Sequence, residues 1–182
     1  MTTLLKTDIS KDGVLLPLTY WPDPILSVAC RPFEDTEEVR HNLVASMIRT
    51  MRHHNGAGLA APQVGVDLQV AVVEVHPGEV HCIINPFSVL WDATADPFTY
   101  NEGCLSIPGY YRKSRRAGRV VIGCENYYGE SCEQPFTDLE SFAVQHELEH
   151  LQGKLFIDNL SLLKKNSIRR KVKKHINRVQ TR

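Results

Sequence analysis

Leu139-Glu140-Ser141-Phe142-Ala143-Val144-Gln145-His146-Glu147-Leu148-Glu149-His150 is the stretch on which the architecture turns. Leu139, Phe142, Ala143, His146 and His150 fall on one helical face, so an apolar stripe runs directly into two imidazoles. That face can be core and pocket wall at once. Thr137 or Asp138 stands at the expected N-cap, and Gly153 stands where the helix should stop. His146-Glu147-Leu148-Glu149-His150 is an H-E-x-x-H pattern. It sets two ring nitrogens one turn apart with a carboxylate beside them, which is a metal site with its own general base.

A catalytic metal usually keeps three protein ligands and one open position. One class of metalloproteases completes the set with H-E-x-x-H-x-x-G-x-x-H, but here Phe156 stands at the last position. Another class uses a downstream Glu. After Glu149 there is none, and Asp158 is the only acid. The third ligand is therefore expected upstream. Cys104, in Glu102-Gly103-Cys104-Leu105-Ser106, is the best candidate, because a thiolate suits soft and borderline metals. Cys30, Cys82, Cys124 and Cys132 are assigned to the core as small hydrophobes.

Outward from this helix, the pattern is α+β. Asp35 or Thr36 can cap a helix carrying Val39, Leu43, Met47, Ile48 and Met51, which ends at Asn55-Gly56. Strands are expected over 68–75 and 79–85, and a hairpin over 119–127 and 131–136. The segment 56–63 is expected as a loop. Ile168, Val172, Ile176 and Val179 give a last helix an apolar stripe for docking. The expected architecture is antiparallel sheets wrapped around a central metal-binding helix, with a C-terminal helix.

A chain of 182 residues suggests one domain, with residues 1–160 catalytic and 161–182 a basic helix of the same domain. No apolar run approaches the ~20 residues of a membrane span. Residues 1–8 lack a basic region followed by an apolar core, so no secretory leader is expected. Five cysteines without C-x-x-C pairing point to a reducing, cytoplasmic setting. Lysine plus arginine balance aspartate plus glutamate at 21 each, but unevenly. Residues 161–182 hold nine basic groups and no acid, leaving 12 basic against 21 acidic in the first 160. Such a tail is either an ordinary solvated basic face or a contact for an acidic partner.

Three segments together resemble the peptide deformylases: Gly56-Ala57-Gly58-Leu59-Ala60-Ala61-Pro62-Gln63, then Glu102-Gly103-Cys104-Leu105-Ser106, then His146–His150. Their order and spacing are those of the family, and the similarity runs from about Leu16 to the C-terminal helix. Two departures stand out. The family most often has Asp where this chain has Glu149, which bears on local hydrogen bonding rather than on the ligands. Tyr110-Tyr111-Arg112-Lys113 is an unusual peptide-facing segment.

The resemblance implies one divalent ion, commonly ferrous iron, although Cys-His-His also suits zinc, nickel or cobalt. It implies that Gln63 and the Leu105 N–H stabilise an oxyanion, and that the substrate is a nascent formyl-methionyl peptide. Glu147 is the expected proton acceptor and donor. Leu139, Phe142 and Ala143 can wall the methionine pocket, and the backbone of Gly58 can pair with an extended peptide. The basic segment 161–182 would then face ribosomal RNA phosphates. A monomer is expected. Two other functions compete. An H-E-x-x-H peptidase would release amino acids rather than formate. A silent ribosome- or nucleic-acid-binding protein would hold no metal and show no turnover.

Overall fold

The computed structural model describes residues 4, 5 and 7–180. Residues 1–3 and 6 of the N-terminal stretch, and 181–182 of the basic segment, lie outside the described residues. Strand β2 (Val70–Val73) is buried along its whole length. Val70 and Val72 pack with Val44, Met47, Ile48 and Met51 of helix α1 (Glu37–His53). Ala71 and Val73 pack on the opposite side with Val144, Leu148 and Leu151 of helix α2 (Asp138–Leu151). A strand covered on both faces has no polar positions to spare, which is why it is a continuous apolar run.

The main sheet is antiparallel, in the order β1 (Gly58–Ala60), β2, β3 (His81–Trp91), β6 (Arg119–Glu125), β7 (Ser131–Thr137). Strands β4 (Phe98–Glu102) and β5 (Arg112–Arg116) form a second, two-stranded sheet. Helix α2 packs on β1, β2 and β7 and also on β4 and β5, so it lies between the sheets as expected. Helix α3 (Leu162–Gln180) closes the chain. No helix among the described residues is long and apolar enough to cross a membrane.

Several expected boundaries move. Thr36 caps α1 by accepting from the Val39 N–H, as one of the two expected caps. Thr137 precedes α2, but its side chain makes no capping bond, and Asp138 has φ 48°. Three residues of the expected 56–63 loop are the edge strand β1. Strand β3 does not end at Asn85. Pro86 cannot donate to a ladder, but a register shift between Ile84 and Ser88 absorbs it. Asn85 there has φ 46° and its side chain bonds both the N–H and the C=O of Phe33. Gly153, with φ 69°, ends α2 as expected; an added Cβ would sit 2.6 Å from the Val28 carbonyl carbon, so no other residue fits.

Helix α3 is docked by Ile168 and Val172, 2% and 1% exposed, against Trp21, Leu26, Ile107 and Phe156. Ile176 is partly buried on the same cluster. Val179 is 54% exposed and does not join the docking stripe, because the apolar cluster ends one turn earlier.

Candidate active site

The C-terminal half of α2 carries His146, Glu147 and His150 into the interior, at 8%, 4% and 1% exposure. Cys104 follows β4 in the connection to β5, and its Sγ lies 3.2 Å from His150 Nε2. The ligand atoms of Cys104, His146 and His150 all fall within 4.8 Å of one another. A tetrahedral ion held by sulfur and nitrogen separates its ligand atoms by about 3.5 Å, so this donor set fits one. Cys30, Cys82 and Cys124 are buried as expected, and Cys132 is half-buried against the same core.

Glu102, the last residue of β4, accepts from His146 Nδ1 at 2.7 Å. That bond fixes the tautomer and presents the other ring nitrogen to the site. Arg116 of β5 in turn grips Glu102 and forks onto Glu149 at 2.8 and 2.7 Å. Its guanidinium lies 5.3 Å over the Phe142 ring. Glu149 thus completes a chain from Arg116 through Glu102 to His146, and the glutamate in place of aspartate leaves the support of the ligand intact. Sequence reasoning assigns no role to Glu102 or Arg116; their side-chain contact within the β4–β5 sheet, where the register sets Arg112 rather than Arg116 opposite Glu102, reveals it.

Charges in the site follow from burial and neighbours. Burial pushes Glu147 up to about 7. Burial also raises Glu102, but the His146 hydrogen bond and the His146 and Arg116 charges prevail and hold it at about 2. Burial disfavours charge on His146, yet Cys104, Glu102 and Glu147 outweigh it and hold its pKa well above the ordinary value. The same negative potential attracts a metal cation. Burial drives His150 well below its ordinary value and keeps a neutral lone pair available. Glu147 Oε2 is buried with no hydrogen-bond partner, as a carboxylate awaiting a proton donor would be.

Gly58 stands directly against that carboxylate. An added Cβ would meet Glu147 Oε1 at 2.5 Å and its Cγ at 2.9 Å. Gln63 is 1% exposed; its Oε1 accepts from the Ala60 N–H at 2.7 Å, and its Nε2 donates to Cys104 Sγ at 3.4 Å. Gly58, Gln63, Cys104, His146 and Glu147 open on a cleft of about 780 Å³ that is also lined by Leu105, Leu139, Phe142 and Ala143. Tyr20, His54, Tyr100 and His175 reach the same cleft and were not anticipated. Of the segment 110–113, Tyr111 lines the cleft, lying against Gly103. Tyr110 packs on Phe156, and Arg112 donates to the Phe156 carbonyl, so these two face inward rather than towards a peptide.

The fold and motifs have known counterparts. The profile of the polypeptide deformylase family matches residues 15–166. A peptide deformylase of Bartonella henselae is 40% identical over 162 residues, 87% of this chain and 91% of that protein. The crystal structure of a peptide deformylase from Legionella pneumophila superposes with a TM-score of 0.82 at 35% identity, covering 93% of this chain and 99% of that one. A peptide deformylase from Ehrlichia chaffeensis in complex with actinonin gives 0.80 at 34% identity, over 88% and 97% of the two chains. The chain belongs to the polypeptide deformylase family, metalloenzymes that remove the formyl group from the N-terminus of nascent peptides.

Proposed function

We propose that Cys104, His146 and His150 are the ligands of a single ferrous ion, with Glu147 as general base and acid. The observation that carries this reading is the convergence of three donor atoms within 4.8 Å beside an unpartnered buried carboxylate. When bound, such an ion supplies Lewis acidity, lowering the pKa of a water towards ~7 and polarising a carbonyl. Glu147, near 7 through burial, takes a proton from the water at neutral pH and delivers it to the leaving amine. Gln63 is held by Ala60 with its amide N–H groups towards Cys104, where an oxyanion would develop. The Leu105 N–H, next in the chain to the liganding cysteine, is the second donor.

The substrate lies along β1. That strand pairs with β2 on one side only, so the backbone of Gly58 can take an extended peptide as a further strand. Leu139, Phe142 and Ala143 receive the methionine side chain. The enzyme acts as a monomer in the cytoplasm, and the exposed cations of α3 support the reading that it contacts ribosomal RNA phosphates beside the emerging chain. Lys164, Arg170, Lys173 and Lys174 all stand exposed there.

Ligation is tested by alkylation. In the metal-loaded enzyme Cys104 should resist labelling, and chelation should expose it, whereas the labelling of Cys30, Cys82, Cys124 and Cys132 should not depend on metal. Equal labelling of Cys104 in both states would refute the assignment. Elemental analysis after anaerobic purification identifies the ion.

A further inference from the structure

A second group of metal-binding side chains lies across the molecule's other seam, where the turn between β2 and β3 meets the first turn of α2. Glu140 Oε1 is 3.8 Å from His81 Nε2 and 4.0 Å from His76 Nε2. The chemistry of this contact is fixed by Gln134. Its amide nitrogen donates to the Cys82 carbonyl at 2.9 Å, and a carbonyl only accepts. The Gln134 oxygen must therefore be the atom that faces His81 Nδ1, at 3.3 Å, and Nδ1 must carry the hydrogen. In neutral His81, a residue 4% exposed, Nε2 is then a bare lone pair facing a carboxylate oxygen. Two acceptors facing each other are repulsive unless a cation, a proton or a donating water lies between them.

We propose that His76, His81 and Glu140 form a second divalent-cation site, of the zinc class, separate from the Cys104-His146-His150 centre. Imidazole and carboxylate are zinc donors, and His-x4-His lies within the spacing zinc sites use. A ring N–H held by an amide or carbonyl oxygen is the usual support of a liganding histidine. Zinc at about 2.1 Å from nitrogen and oxygen sets neighbouring ligand atoms about 3.4 Å apart, so the His81–Glu140 contact needs to close by about 0.4 Å. His76 must make the larger move, because the three donor atoms do not all lie within 4.8 Å of one another, and its side chain, 65% exposed, is the one with room to swing. Bound there, the ion pins the β2–β3 turn to α2 one residue from Leu139, which lines the cleft.

The test uses enzyme whose catalytic site is already filled with nickel, so that added zinc reports only on further sites. Zinc titration by calorimetry with elemental analysis should show one zinc per chain with nickel retained. His76→Ala and Glu140→Gln should each lose that zinc, keep their nickel, and leave formate release unchanged. In the unaltered protein, zinc should shift the imidazole nitrogen resonances of His76 and His81, a readout that needs no variant. Zinc uptake that is absent, that only displaces nickel, or that persists in both variants overturns the site. Absent uptake, with His81 resonances that respond to pH alone, would mean that a proton and not a metal bridges His81 to Glu140. None of these outcomes bears on the deformylase assignment.

Discussion

Gly58 leaves Glu147 its room. The carboxylate occupies the space a β-carbon at residue 58 would fill, so Gly58→Ala must displace that carboxylate, the proposed general base, or β1. We expect the variant to keep its metal and lose ~10² in turnover, the penalty for misplacing a reacting group by about 1 Å. Wild-type turnover at full metal occupancy would show that Gly58 serves only the backbone of the peptide. The candidate ligands and Glu147 were legible in the sequence because residue type at fixed spacing points to metal chemistry, whereas Gln63 entered only through the resemblance to the family. Arg116 was not. It is one of four cations in Arg112–Arg116, and nothing in that run separates it from its neighbours. Only the pairing of β5 with β4 brings it onto Glu102. Tyr20, His54 and His175 come to the cleft from three distant segments, a convergence no local pattern encodes.

Helix α1 is tied to the β2–β3 turn by one part-buried fork. Arg52 donates to both oxygens of Glu74 at 2.7 Å, and Glu74 also accepts from the Gly78 N–H at 2.7 Å. The Arg52 hydrogen bond is the main cause that lowers Glu74 below its ordinary pKa. A depressed carboxylate stabilises the fold above its unfolded pKa, about 4.3 for Glu, and loses that contribution as pH falls through the folded value. Glu74→Gln should therefore lower stability at pH 7 by about 1–3 kcal/mol and flatten the fall in melting temperature below pH 5. A mutant curve parallel to wild type down to pH 3 would rule the fork out as a stabilising element. The helices were legible because apolar residues recur at 3.6 spacing, and in α1 also because Thr36 caps its start. Strands β4 and β5 escaped because the alternation of Phe-Thr-Tyr-Asn-Glu is only two aromatic residues long and Arg-Lys-Ser-Arg-Arg has no apolar residue at all. β3 was cut short at Pro86, where the bulge is invisible without its partner strand.

At the scale of the whole molecule, the basic helix α3 is packed into the body of the protein. Ile168 and Val172 are core residues and His175 reaches the cleft, so α3 cannot be removed without disturbing the enzyme. Its charge can be removed. Arg169 lies over the Trp21 ring, and Lys171 reaches the Gly109 carbonyl, whereas Arg170, Lys173 and Lys174 stand exposed. Replacing those three with Gln should spare hydrolysis of a short formyl-peptide and strongly weaken co-sedimentation with ribosomes at low salt. The wild-type interaction should itself fall steeply with salt as counterions return to phosphate. Co-sedimentation unchanged in the triple variant would leave the basic face as solvated surface. The assignment of the site itself rests on Glu147, and formate release from a formyl-methionyl peptide by Glu147→Gln enzyme of measured metal content is its sharpest trial. The structure predicts one ion per chain, as in wild type, with turnover lower by ~10² or more. Near-normal formate release by the fully metal-loaded variant would contradict it.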